Sequence, residues 1–159
     1  HKRPVHENVL DRRFDGWQPD RAWAGDITYI HTDEGWLYLA VVLDLASRRI
    51  VGWSMSDRIK DDLVCDALTM AFWHRKPAPG LIMHTDRGSQ YASRSYAKLI
   101  GRYRMTASMS RRANCWDTQS KIRLERRTDL TRAGIGRAAL ALTCRSSPAF
   151  PKHCRAHRL

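Results

Sequence analysis

Three consecutive runs rich in β-branched and aromatic residues, crowded into residues 23–55, leave this chain few ways to fold. Trp23 to His31 carries Ile27, Thr28, Tyr29 and Ile30, and Asp33-Glu34-Gly35 then turns the chain. Trp36 to Leu45 is a long apolar run, Ala46-Ser47-Arg48 turns again, and Arg49 to Met55 supplies the third run. Runs of this kind joined by short polar turns pair with their neighbours, so an antiparallel meander of three strands is expected. The period then changes. From Asp61 to Trp73, residues Leu63, Val64, Ala67, Leu68, Ala71 and Phe72 recur at helical spacing, and Asp61 and Asp62 put negative charge at the positive end of the helix. Lys76-Pro77-Ala78-Pro79-Gly80 stops that helix. Leu81 to Thr85 reads as a short buried strand, Asp86 to Tyr91 as a polar loop, Ala92 to Gly101 as a helix and Met105 to Met109 as a last strand. The order βββαβαβ predicts an α/β domain, a mixed five-stranded sheet flanked by helices.

A chain of 159 residues holds one such domain. Residues 1–19, with Pro4, Gly16 and Pro19, read as an N-terminal arm, 20–119 as the core, and 120–159 as a basic tail. No apolar stretch approaches the roughly 18 residues that span a bilayer, which points away from a membrane. The start at His1-Lys2-Arg3-Pro4 reads as the downstream part of a longer product with no signal core, and a cytoplasmic location is expected. Cys65, Cys115, Cys144 and Cys154 form no CxxC pair and are read as reduced thiols. Cys144, His153, Cys154 and His157 lie near one another in sequence, but at no standard zinc spacing.

The net charge of +12 favours a nucleic-acid partner, because neutralising phosphates supplies most non-specific affinity. That charge is unevenly placed, with net +4 over residues 1–120 and net +8 over 121–159. The tail also has a single aromatic residue, Phe150, and no amphipathic order, where a domain of this type should close with a packed helix. Disorder and a shifted reading frame both account for that change of texture.

Two carboxylates stand out by position. Asp26 interrupts an apolar strand, where an ionised acid costs several kcal/mol (roughly) unless it meets a cation or solvent. Asp86 follows Leu81-Ile82-Met83-His84-Thr85 at the carboxyl end of a strand, the usual place for functional groups in α/β sheets. Two acids at neighbouring strand ends could hold Mg²⁺, which prefers hard oxygen ligands and suits phosphodiester chemistry. Ordinary strand-end and turn acids are the alternative, and spacing alone does not choose between them.

Five motifs in order change that balance. Trp23-x-x-Asp26-Ile27-Thr28-Tyr29-Ile30, Gly35-Trp36-Leu37-Tyr38-Leu39, Asp44-x-x-Ser47-Arg48-Arg49-Ile50-Val51-Gly52-Trp53, His84-x-Asp86-Arg87-Gly88-Ser89-Gln90-Tyr91 and Ser108-Met109-Ser110-Arg111-x-x-Asn114-Cys115-Trp116-Asp117 together resemble insertion-sequence transposases with a retroviral-integrase-type core, of the second-reading-frame type. The resemblance covers roughly residues 4–117. It implies a ribonuclease-H-like fold, a metal triad of Asp, Asp and Glu holding Mg²⁺ or Mn²⁺, and cleavage and joining of the double-stranded DNA ends of a mobile element, with self-association as a further expectation. Asp26 matches the first catalytic acid and Asp86 the second. The third, after thirty-five intervening residues, falls at Ile122, where the chain reads Lys121-Ile122-Arg123-Leu124. Glu125 is the nearest substitute, about 60° around and about 4.5 Å along a helix from that position. The core is therefore expected to be incomplete and its catalysis impaired.

Around these acids, Arg87, Gln90, Arg111 and Arg112 are candidate DNA contacts, against the plainer reading of solvated surface. Asp44 is expected to cap the following turn or pair with Arg48, and His84 to make a structural hydrogen bond. Trp23, Trp36, Trp53 and Trp73 are expected in the core, and Trp116 beside the catalytic helix. The principal reading is a transposase core. A non-enzymatic DNA-binding or oligomerising fragment is the alternative, and a ribonuclease of the same fold is a third reading that the motifs disfavour.

Overall fold

The computed structural model describes residues 6–11, 13, 15–32 and 35–110. Seven elements follow in chain order: β1 (Ala22–Thr32), β2 (Gly35–Asp44), β3 (Ile50–Ser56), α1 (Asp61–Arg75), β4 (Ile82–Thr85), α2 (Arg94–Arg102) and β5 (Thr106–Met109). They build a five-stranded sheet in the order β3-β2-β1-β4-β5. The first three strands are an antiparallel meander, while β4 runs parallel to both β1 and β5. The expected mixed sheet, its element order and the three-stranded meander are all present.

Alternation along the strands divides the sheet into two faces. Trp23, Ala40, Val42, Val51 and Met83 pack on one side with Leu63, Val64, Ala67, Leu68 and Ala71 of α1 and with Tyr96 and Ile100 of α2. The approach of α1 is close because Gly52 lies under it. A Cβ at Gly52 would sit 2.4 Å from the carbonyl oxygen of Ala67 and 2.5 Å from the nitrogen of Ala71, so the helix rests on bare strand backbone. Helix α1 ends where Lys76 turns left-handed (φ 44°) and its N–H donates to Phe72 O. Helix α2 begins at Ser93, whose hydroxyl accepts from Tyr96 N at 3.2 Å.

The opposite face is partly covered by the arm. Leu10 is fully buried against Ala22, Ala24 and Leu45. Its N–H donates to Ser108 Oγ at 3.2 Å, and Met109 N donates to Glu7 O at 3.2 Å. The segment without periodicity is thus tied to the sheet through β5.

Two of the four expected core tryptophans are elsewhere. Trp23 is fully buried and Trp53 partly so, but Trp36 is 57% and Trp73 62% exposed. Trp36 lies at the far end of the β1–β2 hairpin and meets His31 edge-on, and Trp73 falls off the buried stripe of α1. Trp116 lies outside the described residues.

Candidate metal centre

The register of β1 against β4 sets the two acids side by side. Ala22 pairs with Ile82, Trp23 with Met83 and Ala24 with His84. Continuing two residues along each chain brings Asp26 level with Asp86, on strands about 4.8 Å apart. β4 ends at Thr85, so Asp86 opens the loop at its carboxyl end, while β1 runs on to Thr32. Asp26 belongs by strand alternation to the face of Ala22 and Ala24.

Each carboxylate holds one backbone N–H. Asp26 Oδ1 accepts from Ile27 N at 2.9 Å, and Asp86 Oδ1 accepts from Gly88 N at 2.7 Å. For Asp26 one donor is not enough. Burial pushes its carboxyl up to about 6, the Ile27 N–H opposes the rise, and the charge of Asp86 adds to it. A desolvated acid facing a second acid favours a bound cation, and the donors are hard oxygens of the kind Mg²⁺ takes. Two carboxylates fit such an ion, since Mg²⁺ commonly binds one or two and completes its shell with water or phosphate oxygens. Among the described residues no cluster of three or more His, Cys, Asp or Glu forms. Ile122 and Glu125, at and near the third position, lie outside the described residues, as do Arg111, Arg112 and the Cys144–His157 cluster.

The loop after β4 is braced from several directions. Thr85 Oγ1 donates to Asp86 O at 3.0 Å, and the nitrogens of Tyr91 and Ala92 both donate to Gly88 O. Arg87 and Gln90 stand in this loop beside Asp86. Arg87 is half-buried, and its Nε donates to Ser110 O at 2.6 Å, while Ser110 N donates back to Thr85 O at 3.0 Å. Arg87 therefore has a structural duty that residue type alone did not reveal. His84 is buried, with Nδ1 3.0 Å from Ser108 Oγ, in the structural role expected of it. Asp44 caps its turn, accepting from Ser47 N and Oγ and from Asp20 N, and the Arg48 guanidinium reaches Asp15 at 2.6 Å.

One residue of the site went unassigned on sequence. Tyr91 is buried in the core, its ring edge-on to Tyr96 with centroids 5.3 Å apart. Its hydroxyl is driven well above the ordinary tyrosine range, first by burial, then by Tyr96 and by the charges of Asp86 and Asp26, so it stays protonated. The only sequence signal was its place at the end of the Asp86 motif.

A sheet of this order, with acids at the centre of β1 and the end of β4, defines a class, and the comparisons name it. The integrase core domain family matches residues 17–115, and the chain belongs to that family. Among its curated relatives are insertion-sequence transposases. The chain is 53% identical over 117 residues to the transposase InsF for insertion sequence IS3A of Escherichia coli (strain K12), covering 74% of this chain and 41% of that protein. It is 48% identical over 110 residues to the transposase for insertion sequence element IS904 of Lactococcus lactis subsp. lactis, covering 69% and 44%. The chain thus spans less than half the length of the curated relatives it matches. Among solved structures it is similar to the HTLV-2 integrase catalytic core domain in complex with magnesium (TM-score 0.54, 21% identity, covering 60% of this chain and 63% of that one). It is also similar to a chain of the simian T-cell lymphotropic virus intasome in complex with PP2A regulatory subunit B56 gamma (TM-score 0.60, 20% identity, 95% and 49%). The fold is ribonuclease-H-like, as expected. No helix among the described residues is long and apolar enough to cross a membrane.

Proposed function

We propose that this chain is the catalytic-core part of an insertion-sequence transposase, acting on double-stranded DNA ends through a divalent cation held by Asp26 and Asp86, with its chemistry impaired at the third acidic position. The observation that carries this reading is the β1–β4 register, which, continued two residues past Ala24 and His84, sets Asp26 level with Asp86, with the Asp26 carboxyl raised first by burial and further by the charge of Asp86. Mg²⁺, or Mn²⁺ in its place, would supply charge stabilisation at a phosphodiester and a more acidic attacking hydroxyl or water. The protein's part is to hold two oxygen ligands in register on a rigid sheet. Arg87 and Gln90, in the loop that opens at Asp86, are candidates to meet DNA phosphates, and Arg111 and Arg112, outside the described residues, are candidates on sequence alone. Ile122 offers no ligand where the family pattern has Glu, and Glu125 is the nearest replacement in sequence.

Purified chain, Mg²⁺ and oligonucleotide duplexes ending in the terminal repeats of the source element test this. Strand transfer should be weak in the chain as it stands, rise in Ile122→Glu, and vanish in Asp26→Asn and Asp86→Asn. Activity in the unaltered chain equal to that of an intact relative would refute the impairment, and full activity in Asp26→Asn would refute the site. The net charge of +8 over residues 121–159 favours a second reading, a non-enzymatic DNA-binding fragment able to compete with intact transposase. Its mark is duplex binding indifferent to divalent metal in every variant.

A further inference from the structure

We infer that Tyr91 is a positioning residue that sets the distance between the two carboxylate-bearing segments, and so the affinity of the centre for a divalent cation; this rests on the reading of Asp26 and Asp86 as metal ligands.

Tyr91 fills the space beside both segments, where a side chain on either glycine would meet it. At the loop end, a Cβ placed on Gly88 would lie 3.6 Å from Tyr91 Cδ2, so the ring lies within ordinary van der Waals range of that position. Gly88 is the residue whose N–H is bound by Asp86 Oδ1. At the other end, a Cβ on Gly25 would lie 3.4 Å from the Tyr91 hydroxyl oxygen. Gly25 immediately precedes Asp26. The length of one phenol thus separates the peptide next to the first acid from the peptide that holds the second.

The spacer is itself immobilised. Tyr91 N donates to Gly88 O at 3.1 Å, closing the turn on which the ring stands. Tyr96 of α2 meets the ring edge-on, and Met83 Cε and Thr85 Cγ2 crowd the same side of Gly25, at 2.8 and 3.3 Å from a Cβ placed there. A planar ring cannot shorten or fold, whereas a flexible side chain of similar bulk can. Mg²⁺ demands near-ideal octahedral placement of its ligands, and residues that orient the ligands typically change metal affinity by about 10–100-fold when replaced.

Mn²⁺ titration by calorimetry on the full chain tests this, with Asp26→Asn, Tyr91→Met, Tyr91→Phe and Tyr96→Met alongside. Tyr91→Met keeps most of the volume but not the rigid plane, and should weaken Mn²⁺ binding about 10-fold or more. Tyr91→Phe keeps the rigid ring but loses the hydroxyl oxygen that faces Gly25, so its affinity should fall between that of the parent and that of Tyr91→Met, whereas Tyr96→Met, which disturbs the same pocket, should stay within about 3-fold of the parent. Thermal midpoints of the metal-free proteins show whether Tyr91→Met and Tyr96→Met lose comparable stability. Unchanged affinity in Tyr91→Met, or an equal loss in Tyr96→Met, overturns the inference while leaving the metal centre standing. No Mn²⁺ binding by the parent, or binding that survives Asp26→Asn, overturns the metal centre and the inference together.

Discussion

Two acids close in space and sequence to the same strands have opposite surroundings. Asp44, at the end of β2, is completely buried, yet two backbone N–H groups and the Ser47 hydroxyl serve its carboxylate. Asp26, in the middle of β1, is only partly buried, holds one N–H, and faces a second acid. The better buried acid is the better satisfied one. Burial alone does not mark a functional carboxylate; burial without enough donors does, because the missing interactions must come from something the chain does not contain.

The largest expected effect lies on the structural side of that contrast. Asp44→Ala removes the acceptor of the partly buried Asp20 and Ser47 N–H groups, and should cost about 3 kcal/mol in urea denaturation, from the lower part of the range of about 1–3 kcal/mol per unpaired group for each of two groups, together with the lost bonds to a charged acceptor. A loss below about 1 kcal/mol would break the comparison. Asp26→Asn should act in the other direction. With the folded carboxyl near 6 and the ordinary value at 3.8, the unfolded chain gives up its proton first, so stability falls as pH rises between those values. Removing the charge should therefore stabilise the metal-free protein at pH 7.5 by up to about 3 kcal/mol, the equivalent of the shift.

A smaller effect sharpens the account of Asp26. Asp86→Asn removes one of the causes of its raised carboxyl but leaves burial, the largest, in place. Carbon-detected NMR should show Asp26 titrating below its present value of about 6 and still above 3.8. A return to 3.8 would mean that charge, not burial, governs the site. The smallest effects belong to the exposed tryptophans. Trp73→Ser and Trp36→Ser should each change stability by less than about 0.5 kcal/mol, the ordinary range for surface substitutions, whereas the original expectation of core positions would make them costly.

Those tryptophans also show where sequence reading stops. The strands, helices and both acids were legible because they follow local patterns: alternation, helical period, and an acid inside an apolar run. Trp73 reads as a core residue from its place on the helix and its apolar bulk, although the stripe Leu63, Val64, Ala67, Leu68, Ala71 places it on the other side of α1. Trp36 obeys strand alternation, but neither α1 nor α2 covers its end of the β1–β2 hairpin, which is a property of layer lengths rather than of any short segment. Leu10 was hidden for a related reason. Its side chain packs on Ala22, Ala24 and Leu45 and its N–H is held by Ser108, ninety-eight residues away, and an arm without periodicity gives no local sign of such contacts. Tyr91 sat in plain view within a motif, but its role rests on Gly25, a partner on another strand.

The most direct test of the central claim is the stability of the parent chain relative to Asp26→Asn from pH 4 to pH 8, with and without Mn²⁺. The account predicts that the metal-free parent falls progressively below Asp26→Asn as pH passes from 4 to about 6, and that Mn²⁺ recovers the difference above pH 6 in the parent only. Parallel curves in the absence of metal, or equal stabilisation of both proteins by Mn²⁺, would show that Asp26 is an ordinary strand acid and that the paired carboxylates are not a metal centre.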